Sequence, residues 1–134
     1  MINRALFSSA HDNWSTPNDV YESLDAEFHF NDDPCPIGGA GGLDREWGSR
    51  TFLNPPYSQI KDWCKKAYDE WQKGKTIVML IPSRTDTKFW HEYIMKATEI
   101  RFIKGRLKFG SSKNSAPFPS AIIVFNHNRQ GQLF

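Results

Sequence analysis

The stretch at residues 51–81, TFLNPPYSQIKDWCKKAYDEWQKGKTIVMLI, decides the fold. Its first three residues are apolar enough for a brief buried strand, which ends directly in Asn-Pro-Pro-Tyr. Residues 59–73 repeat apolar side chains at helical spacing, and Gly74 is suited to the left-handed conformation that follows many helices. Residues 76–81 form a continuous apolar run, which is typical of a central strand covered on both faces. Strand, helix and strand in this order predict a parallel pair joined by a crossover helix.

Details inside this stretch support the central helix. Ser58 is its expected N-cap, since a serine hydroxyl can accept a hydrogen bond from a free backbone N–H of the first turn. The apolar stripe that should face the core consists of Ile60, Trp63, Cys64, Ala67 and Trp71. Pro82 is expected to end the strand that follows.

On the N-terminal side, a first helix is predicted over residues 17–27. Thr16 suits the N-cap, Pro17 suits the first helical position, and Asp19 completes a pattern similar to a capping box. The side chains that should face the core are Val20, Leu24 and Phe28. A short strand over residues 30–33 is expected next.

On the C-terminal side, a third helix is predicted over residues 86–96. Strands are expected over residues 99–103, 106–109 and 120–125. The alternation of strands and helices predicts an open α/β sheet, in which ligands bind at the carboxyl ends of the strands. One domain is expected to span residues 1–134, and residues 1–12 show no periodic pattern and are expected to form an arm.

Composition limits the class of protein. The chain has 134 residues, of which 39% are hydrophobic, so one packed core is expected and disorder is not. A net charge of +2 is too small to indicate a nucleic-acid partner, so any basic surface must be local. No apolar run reaches signal-peptide or membrane-span length, and a soluble cytoplasmic protein is expected. Cys35 and Cys64 are predicted to be buried thiols, and the histidines show no metal-ligand spacing.

The tetrapeptide Asn54-Pro55-Pro56-Tyr57 is the candidate catalytic motif. A rigid turn would explain the two prolines, but not the asparagine before them or the aromatic residue after them. The side-chain oxygen of Asn54 and the carbonyl of Pro55 are two acceptors for the N–H bonds of a planar amine such as adenine N6, whose lone pair they would free for attack. The ring of Tyr57 could stack on a flipped base or favour a sulfonium charge. The motif therefore favours methyl transfer by direct displacement.

Further segments accompany this motif along the chain. They are Trp14-Ser15-Thr16-Pro17, Phe28-His29-Phe30 before Asp33, LIPSRTDT at 80–87, FIKGRLKF at 102–109 and APFPS at 116–120. With the tetrapeptide, they make the chain similar to the phage-type DNA N-6-adenine methyltransferases (Dam-like) from about residue 14 to 125. The resemblance implies a Rossmann-like methyltransferase fold, S-adenosylmethionine as cofactor and adenine in DNA as substrate. It also implies a phage or prophage origin and a role in evading host restriction.

The resemblance also assigns cofactor contacts. The residues expected to bind S-adenosylmethionine are Trp14, Thr16, Pro17, Asp33, Pro34 and Cys35. Asp33 matches the acidic residue at the end of the first strand, where an anion would suit the cofactor's amino group and sulfonium. Asp32 is an alternative for this role. Gly38 and Gly39 either let the backbone approach the cofactor or belong to a surface loop.

The spacing between motifs departs from the wider methyltransferase pattern. Only 20 residues separate Asp33 from Asn54, whereas a βαβ unit takes roughly 30 or more. A shortened mixed sheet, flanked by helices and with an open, weak cofactor site, is therefore predicted. The acidic residue that usually holds the cofactor ribose has no obvious counterpart. Asp44 and Glu46 are possible substitutes, although solvated loop charges are the simpler interpretation.

The chain has no insert large enough for a separate target-recognition domain, so loops or a partner must contact DNA. The candidate DNA-binding residues are Arg84, Lys104, Arg106, Lys108 and Lys113, with Arg101 in the same basic run. The simpler interpretation is alternation on a half-exposed strand, with Leu107 and Phe109 facing inward. Arg84 could instead contact the cofactor or pair with Asp86. A homodimer is also considered.

Two other functions stay open at this point. Cytosine N4 or a protein glutamine could replace adenine as the methyl acceptor, because both are planar amines or amides. A non-catalytic DNA-binding module that kept the fold is an alternative of another class, and the shortened cofactor region motivates it.

Overall fold

The computed structural model describes residues 15–36, 41–108 and 116–127. Its helices are α1 (Asn18–Phe28), α2 (Ile60–Gln72) and the short α3 (Lys88–Glu92). Its strands are β1 (Arg50–Leu53), β2 (Thr76–Pro82), β3 (Glu99–Phe102) and β4 (Ser120–Phe125). Turns of 3₁₀-helix cover Gly42–Asp44, Tyr57–Gln59 and Ile94–Lys96.

The four strands form one mixed sheet in the order β1-β2-β4-β3. β1 and β2 are parallel and are joined through α2, as the sequence predicts. β4 runs antiparallel to both β2 and β3. The expected strand at residues 30–33 is reduced to an isolated parallel bridge between Asp32 and Thr51, so it adds one residue pair beyond β1. A mixed α/β sheet flanked by helices is thereby confirmed.

β2 divides the core into two clusters because its alternate side chains point to opposite faces. Ile77, Met79 and Ile81 pack with α2 and α3 on one face. Val78 and Leu80 pack on the other face with α1, whose inward residues are those predicted. The α2 stripe is also confirmed: Trp63, Cys64 and Ala67 are buried, and Ile60 and Trp71 are partly buried against the same cluster.

Helix ends differ from the prediction by small shifts. α1 begins at Asn18, and Pro17, not Thr16, is its N-cap. α2 begins at Ile60 after a 3₁₀ turn, so Gln59 replaces Ser58 as its N-cap. Gly74, with a φ of 100°, ends α2 as expected.

The third helix is shorter than the sequence predicts, and the strand predicted from residue 106 does not form. The third helix is helical only over Lys88–Glu92, after which the chain tightens into the 3₁₀ turn Ile94–Lys96. Residues 106–108 are not a strand, although Leu107 does pack inward on the α1 face. The backbone of Leu107 instead accepts one hydrogen bond from Ala116 N–H, at 2.7 Å, so no ladder forms at this point.

Several predictions fall outside the described residues. These are the arm at residues 1–12, and Trp14, Gly38, Gly39, Phe109 and Lys113. Cys35 and Cys64 are both buried, as expected. In the described part of the chain, no helix has the length and apolar character needed to cross a membrane.

A buried carboxylate, Glu70, anchors the end of α2. Its side chain is fully buried and accepts hydrogen bonds from Lys75 Nζ and, at 3.1 Å, from Trp47 N–H. Lys73 and Lys66 contact its other oxygen at 3.0 and 3.1 Å. Burial alone would raise the pKa of Glu70, but these donors outweigh it and lower the pKa to about 2.

Glu70→Gln should lower the free energy of unfolding by about 2 kcal/mol at neutral pH, because three lysines lose a shared buried partner. A carboxylate with a lowered pKa stabilises the fold above its ordinary pKa and loses that effect as pH falls toward the folded value. The difference between the two proteins should therefore be complete above about pH 4.5 and shrink from there toward pH 2.

Urea unfolding at several pH values measures this difference. Asp69→Asn is the matched control on the same helix, since Asp69 pairs only with the exposed Lys65 among the described residues. Its effect should stay within about 0.5 kcal/mol. Equal effects of the two substitutions would show that the Glu70 cluster adds nothing beyond a surface ion pair.

Candidate active site

The tetrapeptide of the sequence motif forms a rigid turn at the carboxyl end of β1. β1 ends at Leu53, and Asn54, Pro55 and Pro56 are buried. Pro56 has an extended backbone, with φ −65° and ψ 136°, and the 3₁₀ turn Tyr57–Gln59 leads into α2. Because both prolines are fixed in φ and packed into the protein, the carbonyl groups of the turn have fixed directions.

The side chain of Asn54 is held by Thr16, a residue that is distant in sequence and lies near the start of the described chain. Asn54 is only 8% exposed, and its Nδ2 donates a hydrogen bond to Thr16 Oγ1 at 2.9 Å. This contact explains why Thr16 does not cap α1: its hydroxyl faces Asn54 instead. The hydrogen bond sets the plane of the Asn54 amide and therefore the direction in which Oδ1 accepts.

A cavity of about 260 Å³ lies beside Asn54. Its lining residues are Thr16, Asn18, Tyr21, Asp33, Cys35, Pro36, Phe52 and Asn54. Four residues that the sequence assigned to catalysis or cofactor binding therefore line the same cavity: Thr16, Asp33, Cys35 and Asn54. Pro17 is the N-cap of α1 next to this space, and Pro34 is buried behind it.

The two neighbouring aspartates have different surroundings. Asp32 accepts two hydrogen bonds from Arg45, at 2.8 and 2.9 Å, and another from Gly48 N–H. The hydrogen bonds from Arg45 lower the pKa of Asp32. Asp33 is exposed overall, but its carboxyl lies at the cavity wall, where burial raises its pKa despite a hydrogen bond from Cys35 N–H. Asp33 is therefore the aspartate that faces the cavity.

Aromatic residues that the sequence analysis did not assign to the site form one side of the cavity. The rings of Tyr21 and Phe52 meet edge to face with centroids 5.2 Å apart, and Phe30 contacts both. The signal was present, because Tyr21 follows Val20 in α1 and Phe52 lies two residues before the motif. Only the packing of α1 on β1 brings the two rings together.

Gly42 closes the loop that follows Asp33. A Cβ at this position would lie 2.2 Å from the carbonyl oxygen of Pro34 and 2.7 Å from the ring of Trp63. Any side chain would therefore push the loop away from α2. Trp47 fixes the same turn by donating its indole N–H to the Gly42 carbonyl at 2.7 Å.

Tyr57 is half-buried at the end of the motif. Its ring meets Phe118 edge to face at 5.2 Å, so the APFPS segment packs against the catalytic-motif candidate. Burial raises the pKa of Tyr57, although the charge of Arg84 opposes this. Its hydroxyl has no hydrogen-bond partner among the described residues. The phenol is thus neutral at physiological pH.

The possible substitutes for the missing ribose-binding residue do not line the cavity. Asp44 is exposed on the 3₁₀ turn Gly42–Asp44. Glu46 is exposed and pairs with Lys75 at 3.1 Å. The interpretation of both as loop charges fits the structure.

The candidate DNA-binding cations differ in their partners. Among the described residues, no ion pair involves Arg84, Lys104, Arg106 or Lys108, and all four are exposed. The alternative pair between Arg84 and Asp86 is absent. Arg101 instead binds the carboxylates of Glu27 and Glu99, at 2.6 and 2.9 Å, which neutralise it.

Comparison with known proteins identifies the family. Residues 38–131 match the family model described as DNA N-6-adenine-methyltransferase (Dam). A protein named DNA N-6-adenine-methyltransferase from Escherichia phage T1 is 28% identical over 117 residues, which cover 72% of this chain and 46% of the phage protein. The chain thus spans about half the length of that relative. Since the family match includes the Asn-Pro-Pro-Tyr turn and more than half of the chain, the chain belongs to the DNA N-6-adenine-methyltransferase (Dam) family.

Proposed function

We propose that this protein transfers a methyl group from S-adenosylmethionine to N6 of adenine in DNA, on a shortened Rossmann-like methyltransferase fold. The observation that carries the proposal is the hydrogen bond from Asn54 to Thr16 at the wall of the cavity that Asp33 also lines. Family membership supports adenine as the acceptor and DNA as its carrier.

The residues around the cavity fit the cofactor chemically. S-adenosylmethionine supplies an electrophilic methyl group on a sulfonium, and its methionine end carries an ammonium group. Asp33 would hold the ammonium group by charge, and the rings of Tyr21 and Phe52 would pack against flat or cationic parts of the molecule. A volume of about 260 Å³ is below the usual range for ligand pockets, so the cavity formed by the described residues is small.

Asn54 and Pro55 would prepare the acceptor nitrogen. The Asn54 Oδ1 and the Pro55 carbonyl would accept the two N–H bonds of the adenine amine, which favours a pyramidal nitrogen with an available lone pair. Displacement then depends on alignment, and the proton leaves after attack, so no strong base is required. A neutral Tyr57, held by Phe118, would support the flipped base with its ring and keep the turn in place.

Exposed cations would hold the DNA backbone. Arg84 comes two residues after β2 and Lys104 two residues after β3, so both lie near the end of the sheet where β1 ends in the motif. Arg106 and Lys108 continue the chain from Lys104. Phosphate contacts of this kind position DNA without reading its sequence.

Asn54→Ala should reduce methyl transfer by roughly 100- to 1000-fold, because one preorganised acceptor is lost. The measurement is nucleoside mass spectrometry of unmethylated DNA after incubation with the protein and isotopically labelled S-adenosylmethionine. Label should appear in N6-methyladenine with the unaltered protein only.

Other outcomes separate the alternatives. Label in N4-methylcytosine would keep the mechanism and change the acceptor. DNA binding without label, unchanged by Asn54→Ala, would favour a non-catalytic DNA-binding module instead of the proposed enzyme.

Thr16→Val should lower kcat by about tenfold with little change in KM for DNA, because the Asn54 amide loses its orienting partner. Thr16→Ser keeps the hydroxyl and is the matched control, with kcat near that of the unaltered protein. Initial-rate kinetics measure both values. If valine and serine gave the same kcat, the hydrogen bond would have no positioning role.

Asp33→Asn and Asp32→Asn should have opposite effects on stability. The raised pKa of Asp33 means that its carboxylate disfavours the fold at neutral pH, so asparagine should raise the free energy of unfolding slightly. Asp32→Asn breaks the pair with Arg45 and should lower stability by about 1 kcal/mol. Thermal unfolding measures both changes.

Only Asp33→Asn should weaken the binding of S-adenosylmethionine in calorimetry, by roughly tenfold or more. The affinity of the unaltered protein should also fall as pH decreases through the raised pKa of Asp33. Equal loss of affinity in both variants would assign the role to the loop as a whole and not to the Asp33 charge.

A further inference from the structure

A large apolar side chain is exposed at the carboxyl end of β3. Phe102 is 65% exposed, and in the described residues only Met95, at 57%, is a comparably exposed large hydrophobic side chain. Isolated exposed apolar residues are common on protein surfaces and need no function. The surroundings of Phe102 are what distinguish it from Met95.

The ring of Phe102 packs against the ring of Trp90. The two rings are nearly parallel, with an interplanar angle of 22° and centroids 6.5 Å apart, and Trp90 is itself only 2% exposed. The buried indole belongs to α3 and to the larger core cluster. Phe102 is therefore held against a rigid base while much of its ring remains open to solvent.

Cations without ion-pair partners follow Phe102 in the chain. Lys104, Arg106 and Lys108 are exposed, and none is in an ion pair within the described residues. Gly105, with a φ of 75°, turns the backbone between the first two. The residue before Phe102, Arg101, is neutralised by Glu27 and Glu99 on the opposite face of the sheet. The cations that follow Phe102 in the chain thus carry positive charge that no described ion pair neutralises.

Phe102 lies at the same end of the sheet as the candidate active site, although it is on the opposite outer strand. Phe102 pairs with Ala121, Pro82 pairs with Ser120, and β1 ends beside β2 at Leu53. Three strand spacings separate β1 from β3 in the order β1-β2-β4-β3, which is about 14 Å at ~4.8 Å each.

We propose that Phe102 stacks against a base of the bound DNA outside the target adenine, while Lys104, Arg106 and Lys108 contact the neighbouring phosphates. The proposal rests on the proposed function for DNA as the partner. An aromatic ring flanked by cations is suited to this partner because bases offer π-faces and the backbone offers negative charge. A second copy of this chain suits the patch less, because a two-fold contact would bring the same unpaired cations together.

The test compares two polyanions, of which only one has bases. Fluorescence anisotropy of labelled DNA and of labelled heparin, from about 50 to 200 mM salt, gives affinities and salt slopes. Phe102→Ala should weaken DNA binding by roughly 5- to 100-fold, with the salt slope and heparin binding unchanged, since stacking releases no counterions. Lys104→Ala should instead reduce the DNA slope by about 0.9 and weaken both ligands.

Met95→Ala is the matched control for an exposed apolar residue and should leave both affinities unchanged. Phe102→Tyr keeps the ring and should restore DNA binding, which separates stacking from any effect on folding. The proposal is overturned if Phe102→Ala behaves as Met95→Ala does, or if it weakens heparin and DNA equally. It is also overturned if Phe102→Ala dissociates a dimer in sedimentation while the DNA affinity per protomer is unchanged.

The proposal and the proposed function fail separately. Methyl transfer to adenine with no effect of Phe102→Ala on DNA affinity overturns the stacking role alone. DNA binding that depends on Phe102, without methyl transfer by the unaltered protein, overturns the enzymatic proposal alone.

Discussion

The burial of β2 on both faces is the constraint on which the rest of the structure depends. Every residue from Ile77 to Pro82 is buried, and its neighbours are β1 on one side and β4 on the other. A one-residue shift in register would exchange the side chains of the two core clusters, so the pairing is strongly specified. This pairing fixes where β1 ends, and therefore where the Asn-Pro-Pro-Tyr turn leaves the sheet.

The turn becomes a site only through contacts distant in sequence. Asn54 and Thr16 are 38 residues apart, and their hydrogen bond joins the start of α1 to the end of β1. Packing of Leu24 and Tyr21 on the α1 face of the sheet brings Thr16 to this position. Because Asp33 follows the bridge between Asp32 and Thr51, the same arrangement places its carboxyl at the cavity. Orientation of Asn54 and placement of the anion thus have one structural origin.

The two ends of the sheet differ in how charge is compensated. At the end where β2 begins, Glu70 gathers three lysines around one buried carboxylate, which stabilises the junction of α2 and β2. At the end where β2 finishes, Arg84 and Lys104 have no acidic partner in the described chain. The paired charges thus stabilise the fold, whereas the unpaired cations contribute a positive surface potential at the other end of the sheet. A net charge of +2 conceals this division, because it averages both ends.

The sequence by itself determined the elements whose pattern is local. The α2 stripe, the β2 run, the glycine stop at Gly74 and the rigid turn at Pro55 and Pro56 follow from side-chain periodicity and backbone restriction, and the structure confirms each. Tertiary structure alone decided the role of Thr16, the choice of Asp33 over Asp32 at the cavity and the neutralisation of Arg101 by Glu27. In these cases a polar group has several chemically equal partners in the sequence. The choice among them depends on which elements pack together, because hydrogen bonds and ion pairs form only between groups that the hydrophobic core has already brought close.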